Sequence, residues 1–263
     1  MIDLHLHILA DIDDGPSIRQ ESLAMLTLAR NLGYETLVAT PHFGDPETCA
    51  WPSVDQETAW LAAEAKAFGI TILHGYEIRI HPQLAGWLEG SVPMSLAGTR
   101  TLLLELPFAG WPTYTERVIF DVQALGYRVL LAHPERYESV LTDPGILAPL
   151  RERGVLMQLT TGSLAGLFGK RSKAISEQLL GDGFIDVLAS DAHSAGRRFV
   201  AVAEGMARAN ELVGADGVRL LTETNPRAIL EDEPVQPIQM VGGRSAGLKV
   251  PTLSMVRKLI PGR

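Results

Sequence analysis

Seven short runs rich in valine, isoleucine and leucine recur along the chain, at residues 2–6, 36–40, 70–73, 102–106, 128–132, 155–159 and 185–189. Longer stretches separate them, and their apolar positions keep helical spacing, as Leu23, Leu26, Ala29 and Leu32 do. Continuously apolar strands alternating with helices predict a parallel sheet covered on both faces. Closing that sheet on itself removes its edges, so the expected fold is α/β, a distorted TIM-like (β/α)7 barrel. Gly33, Gly69, Gly126 and Gly154 stand where helices should stop, and Ser53 with Gln56 and Thr113 with Glu116 have the spacing of capping boxes.

The polar residues fall where the runs end. His5 and His7 close the first, His42 follows the second, and Glu77 follows the third. Glu105 sits at the end of the fourth, His133 and Arg136 follow the fifth, and Asp191 and His193 follow the seventh. In a β/α barrel these C-terminal strand ends open onto one face, the face that carries chemistry, so residues far apart in sequence converge. Side chains at i and i+2 of a strand point the same way, so His5 and His7 present two imidazoles side by side, as a metal ion requires. With Asp14 from the DIDDG stretch, nine nitrogen and oxygen donors collect there, more than one ion needs and enough for two or three. On the residues alone, Asp11 and Asp13 are alternatives to Asp14.

Composition narrows the function further. A net charge of -8 argues against a general nucleic-acid binder, which holds its polyanion through surplus Lys and Arg. No apolar run reaches the length of a transmembrane segment, Met1 and Ile2 lead straight into the motif without a signal peptide, and Cys49 is the single cysteine; all three fit a cytoplasmic protein. Asp55, not an arginine, stands six positions after Cys49, so the Cys-x5-Arg arrangement of thiol phosphatases is absent. His74 and His81 read as ordinary polar histidines, and the G-x-S-x-G of residues 243–247 has neither the strand before it nor the helix after it that a nucleophile elbow needs. No acidic residue follows Glu233, whereas Arg244, Lys249, Arg257, Lys258 and Arg263 are basic. The domain expectation is therefore a barrel over residues 1–232 and a flexible basic tail over 233–263.

The stretches DLHLHILADIDDGP, ATPHF, GYEI, LLELP, AHPERY, GSLAGLFGK and ASDAH together resemble the polymerase and histidinol phosphatase (PHP) superfamily. Within it they are similar to the metal-dependent protein-tyrosine phosphatases encoded with bacterial capsule and exopolysaccharide genes, a branch marked by the double aspartate of DIDDGP. The resemblance implies two to three divalent ions, manganese first, with iron or zinc as alternatives, at the C-terminal strand ends. It assigns His5, His7, Glu77 and Asp191 to one ion, Glu77, Glu105 and His133 to a second, and Asp14, His42 and His193 to a third. Arg136 and Arg197 would grip the phosphate, with Arg198 as the alternative to Arg197. The implied substrate is a phosphotyrosyl protein, the tyrosine-rich tail of a bacterial tyrosine kinase, and water acidified by the ions supplies the nucleophile. A small-molecule phosphatase for histidinol phosphate would use the same ions, and an amidohydrolase or nuclease also begins with H-x-H. The sequence is compatible with a monomer or a homo-oligomer.

Overall fold

The structure, a computed structural model, describes residues 1–238. All seven expected runs are strands, and two further short ones extend them. In chain order they are β1 (Ile2–Leu6), β2 (Thr36–Ala39), β3 (His42–Phe43), β4 (Thr71–His74), β5 (Glu77–Arg79), β6 (Thr101–Glu105), β7 (Arg128–Leu131), β8 (Leu156–Thr160) and β9 (Val187–Ala189). Every ladder is parallel; β1 pairs with β2 and β2 with β4, while β3, β5, β6, β7, β8 and β9 follow one another.

β3 and β5 continue the paths of β2 and β4 beyond a two-residue break. Pro41 has no N–H to give to a ladder, and a Cβ on Gly75 would lie 2.8 Å from the Leu96 Cα, so both paths bend here. Hydrogen bonds from the Gly75 N–H to the Ala39 carbonyl (2.9 Å) and from the Glu77 N–H to the Pro41 carbonyl (3.1 Å) carry the pairing across the bend. The bend sets His42 directly opposite Glu77. The sheet's two ends meet in a bridge between Leu6 and Ala192, where the His7 N–H donates to the Ala192 carbonyl (2.8 Å) and the Asp191 N–H to the His5 carbonyl (2.9 Å). The sheet is a curled, distorted barrel.

Strand alternation divides the core. Along β6, Leu102 and Leu104 join the cluster packed under the helices, while Leu103 joins a smaller cluster with Val38, Leu130, Val187 and Ile229. Glu105 follows Leu103 by two residues and so lies on the same face as this smaller cluster.

The four glycine stops all adopt left-handed backbone, with φ of 85°, 67°, 84° and 77° at Gly33, Gly69, Gly126 and Gly154. The two capping boxes do not form. The helix Trp51–Ala65 starts two residues before Ser53, with Pro52 in its first turn, and the helix Thr115–Ala124 begins after a turn closed by the Thr115 N–H on the Pro112 carbonyl. Residues 233–238, expected in the tail, pack on the barrel: the Asn225 side chain exchanges hydrogen bonds of 2.9 and 3.0 Å with the Gln236 backbone, and Ile238 is buried. The remainder of the expected tail, with its G-x-S-x-G, lies outside the described residues.

The helix Arg197–Arg219 sits unusually close to the segment after β8. A Cβ on Gly205 would lie 2.2 Å from the Thr161 carbonyl oxygen. Gly205→Ala is therefore expected to overpack this contact, cost about 1–3 kcal/mol and lower Tm by several degrees. Gly181→Ala, in open space near a helix end, serves as the control and should be neutral or stabilising. Thermal melts of the two variants check this; an unchanged Tm in Gly205→Ala would show that the helix can move away at no cost.

Candidate metal centre

β1 delivers His5 and His7 with both rings fully buried and their Nε2 atoms 3.3 Å apart. Each ring's other nitrogen is already engaged. His5 Nδ1 lies 2.9 Å from Gln158 Oε1 and His7 Nδ1 lies 2.6 Å from Asp13 Oδ2, so in both rings Nδ1–H donates outward and Nε2 is left for ligation. The three aspartates take different places. Asp13 orients His7 and also accepts the Gly15 and His42 N–H groups, whereas Asp14 Oδ1 reaches His193 Nε2 at 3.2 Å and His42 Nε2 at 3.5 Å. Asp11 instead turns the chain with a left-handed backbone, its N–H bonded to the Pro16 carbonyl.

Glu77 is the hub. One of its carboxylate oxygens lies 3.3 Å from His5 Nε2 and 2.8 Å from His133 Nε2, and the other lies 3.2 Å from His7 Nε2 and 3.1 Å from His42 Nδ1. Asp191 Oδ1 lies 3.5 Å from His5 and 3.6 Å from His193, and Glu105 lies 3.8 Å from His133. Donor atoms gather within 4.8 Å of one another in three groups: His7, Asp14, His42 and His193; His5, His7 and Glu77; and His42, Glu77 and Glu105. His133 and Asp191 reach the centre from left-handed backbone, at φ of 32° and 50°. Imidazoles mixed with carboxylates around a shared bridging glutamate fit divalent ions such as manganese, iron or zinc. The buried His133 Nδ1 has no partner among the described residues.

Arg136 and Arg198 face this centre. They line one pocket of about 80 Å³ with Asp14, His42, Glu77, Glu105, His133, Asp191 and His193. An Arg136 guanidinium nitrogen lies 2.5 Å from Asp191 Oδ2, and Arg198 donates to the Asp191 carbonyl at 2.9 Å. Arg197, the residue expected from the sequence, is exposed and lines a neighbouring groove instead; in the first turn of its helix only one of two consecutive side chains can face inward. The Arg136 guanidinium carbon is 4.6 Å from the ring centroid of Phe108 and 4.2 Å from that of Phe168, which puts the GLFGK segment at the mouth.

Gln158 and Glu135 escaped the sequence reading. Gln158 breaks an apolar, buried strand, and that was its one signal. Glu135, fully buried, accepts from Ser163 Oγ (2.7 Å) and the Thr160 N–H (3.1 Å), tying the turn that carries Arg136 to the loop that carries Phe168. Cys49, half-buried with its thiol pushed up by burial, lies outside the pocket.

The charges are ready to exchange protons for metal. Burial alone would depress the imidazoles, yet Glu77 and Asp191 raise His5 to about 9, and Asp13 and Glu77 raise His7 to about 10. Burial drives Glu105 up to about 7, helped by the neighbouring Glu77, and burial beside His7 takes His193 down to about 4. At neutral pH and without metal, His5 and His7 thus hold protons that a ligand cannot keep. Metal binding at neutral pH is expected to release about two to three protons, from His5, His7 and part of Glu105, and to tighten as pH rises through about 10. Calorimetry in buffers of different ionisation enthalpy measures this, and an apparent enthalpy independent of buffer would contradict it.

The family described as capsular polysaccharide synthesis, CpsB/CapC, matches residues 1–231. The chain belongs to this family. Tyrosine-protein phosphatase YwqE of Bacillus subtilis is 35% identical over 251 residues, covering 93% of this chain and 98% of its own. Tyrosine-protein phosphatase CpsB of Streptococcus pneumoniae is 27% identical over 243 residues, 89% of this chain and 99% of its own. A crystal structure from work on YwqE and CpsB, described as unique metal-dependent tyrosine phosphatases, superposes with a TM-score of 0.84 at 32% identity, over 92% of this chain and all of the other. Histidinol phosphate phosphatase from Lactococcus lactis, crystallised with zinc, L-histidinol and phosphate, has a TM-score of 0.52 at 18% identity over 80% of this chain and 93% of its own, a likeness of fold alone. No described helix is long and apolar enough to cross a membrane.

Proposed function

We propose that the chain is a metal-dependent protein-tyrosine phosphatase acting in the cytoplasm on a phosphotyrosyl protein, a bacterial tyrosine kinase of capsule or exopolysaccharide synthesis. One observation carries the reading: a cluster of histidines and carboxylates centred on Glu77 opens into the same small pocket as two guanidinium groups. His5, His7, Asp14, His42, Glu77, Glu105, His133, Asp191 and His193 would hold two to three divalent ions, manganese favoured. Bound there, such ions supply Lewis acidity toward phosphoryl oxygens and a water acidified toward neutrality.

The chain's own groups do the rest. Arg136 and Arg198 bind the phosphoryl oxygens and neutralise charge as it develops, Arg136 with the planar fork that suits phosphate. Gln158 and Asp13 keep the two buried imidazoles in the tautomer that turns Nε2 inward. Phe108, 44% exposed and stacked 5.5 Å from His133, offers an aromatic wall at the mouth for the ring of a phosphotyrosine. A tyrosinate, with a pKa of about 10 in water, leaves with little help from a general acid.

Steady-state kinetics tests the reading. The expected kcat/KM for a phosphotyrosyl peptide exceeds that for a phosphoseryl peptide and for histidinol phosphate by at least about tenfold, roughly 1.4 kcal/mol. Phe108→Ala should narrow that gap by about two- to tenfold, the usual worth of an aromatic pair. Equal or better turnover of histidinol phosphate would leave the metal centre standing and overturn the function.

A further inference from the structure

Beside the metal pocket runs a second, open groove of about 500 Å³, between residues 165–167 and one stripe of the helix Arg197–Arg219. Arg197, Val200, Ala201 and Glu204 lie at i, i+3, i+4 and i+7 on that helix and form one wall. Ala165 and Leu167 form the other. The groove is apolar in its middle and charged at its ends, with a cation at Arg197 and a carboxylate at Glu204. Val200 is 64% exposed in it, a large apolar side chain that the fold leaves uncovered.

Its place and its charges say what fits. Arg198, next to Arg197, lines the metal pocket, and Phe168, next to Leu167, stacks on Arg136 at 4.2 Å and lies 5.5 Å from Arg198. The groove therefore starts where the metal pocket ends. Arg198 is taken up by Asp191 and His193, whereas Arg197 and Glu204 have no ion-pair partner among the described residues. Gly205, one residue beyond Glu204, packs tightly against Thr161, which fixes the helix wall of the groove close to the segment that leads to Ala165 and Leu167.

Resting on the phosphatase reading, we propose that this groove seats the residues flanking the phosphotyrosine of a protein substrate, with Arg197 pairing to an acidic side chain beside the phosphotyrosine. Arg197 and Glu204 are about 10 Å apart along the helix axis, the span of about three residues of extended peptide. The matching sequence has an acidic residue next to the phosphotyrosine, an apolar residue for Val200 and Leu167, and a basic residue about three positions beyond the acid. The two neighbouring arginines thus divide the work, Arg198 on the phosphate and Arg197 on the chain that carries it.

The test compares two phosphotyrosyl peptides of equal length, one with the acid–apolar–base pattern and one with acid and base exchanged, alongside p-nitrophenyl phosphate. Wild-type protein is expected to prefer the first peptide by about tenfold in kcat/KM. Arg197→Glu or Glu204→Lys, each of which gives both ends of the groove the same charge, should bring the ratio near one, the milder Arg197→Ala should lower it part of the way, and the double exchange Arg197→Glu with Glu204→Lys should reverse the order. Wild-type protein that cleaves all three substrates without charge preference, or an Arg197→Glu variant that keeps the original preference, overturns the proposal alone. Wild-type protein with bound metal that cleaves none of the three overturns the phosphatase reading and the groove with it.

Discussion

Glu77→Gln is expected to lower turnover of an aryl phosphate by on the order of 10³-fold and to reduce bound metal, the largest effect of any single substitution in the centre. The change preserves size but removes the charge and turns one of the two acceptor oxygens into an NH2 donor facing imidazole nitrogens. That charge faces four histidines, and despite burial, which favours the neutral acid, His5, His133 and His42 hold the Glu77 carboxyl well below the usual range. A neutral amide is a poorer ligand for a divalent ion than a carboxylate, so any ion that Glu77 would hold loses an anionic ligand. The metal-free protein should suffer as well, because His5 and His7 keep Asp191 and Asp13 but lose their shared partner, and a broken buried pair costs up to about 3–5 kcal/mol before the imidazoles shed their protons. Metal analysis, kinetics and melting of the same preparation separate the two losses. Metal content and turnover within a few-fold of wild type would remove Glu77 from the hub.

Much of this centre was legible in the chain because strand-end chemistry has a strong local signal. A histidine or carboxylate directly after an apolar run stands out, and the barrel topology then decides that all such residues meet. What escaped has a physical cause in each case. β3 and β5, at two and three residues, are too short to show any period, and exist because the ladder persists across Pro41 and Gly75. Asp13 and Asp14 are adjacent in sequence, and only the folded turn sends one to His7 Nδ1 and the other to His42 and His193. Arg197 and Arg198 differ by about 100° of helical rotation, so their roles depend on the phase with which the helix leaves the metal centre. Glu135 acts through loops separated by more than twenty residues, a pairing with no local trace.

Arg136→Lys tests the phosphate clamp apart from the metal, and is expected to leave metal content near that of wild type while lowering kcat for an aryl phosphate by about 10²-fold or more. No metal ligand is altered. Three properties of the guanidinium are lost together. Its planar fork can give two parallel N–H donors to a phosphoryl group, where an ammonium offers a point charge. Its flat face lies against Phe108 and Phe168, at 4.6 and 4.2 Å, so the aromatic rings fix its orientation before substrate arrives; a flexible lysine would have to be ordered during the reaction. Its contact with Asp191 at 2.5 Å also holds that carboxylate, whose charge His5 and His133 favour against burial, toward the centre. The loss should fall mainly on kcat, because charge on the phosphoryl oxygens develops most fully in the transition state. A rise in KM at constant kcat would instead make Arg136 a ground-state anchor, and a lysine variant as active as wild type would leave only its positive charge with a role.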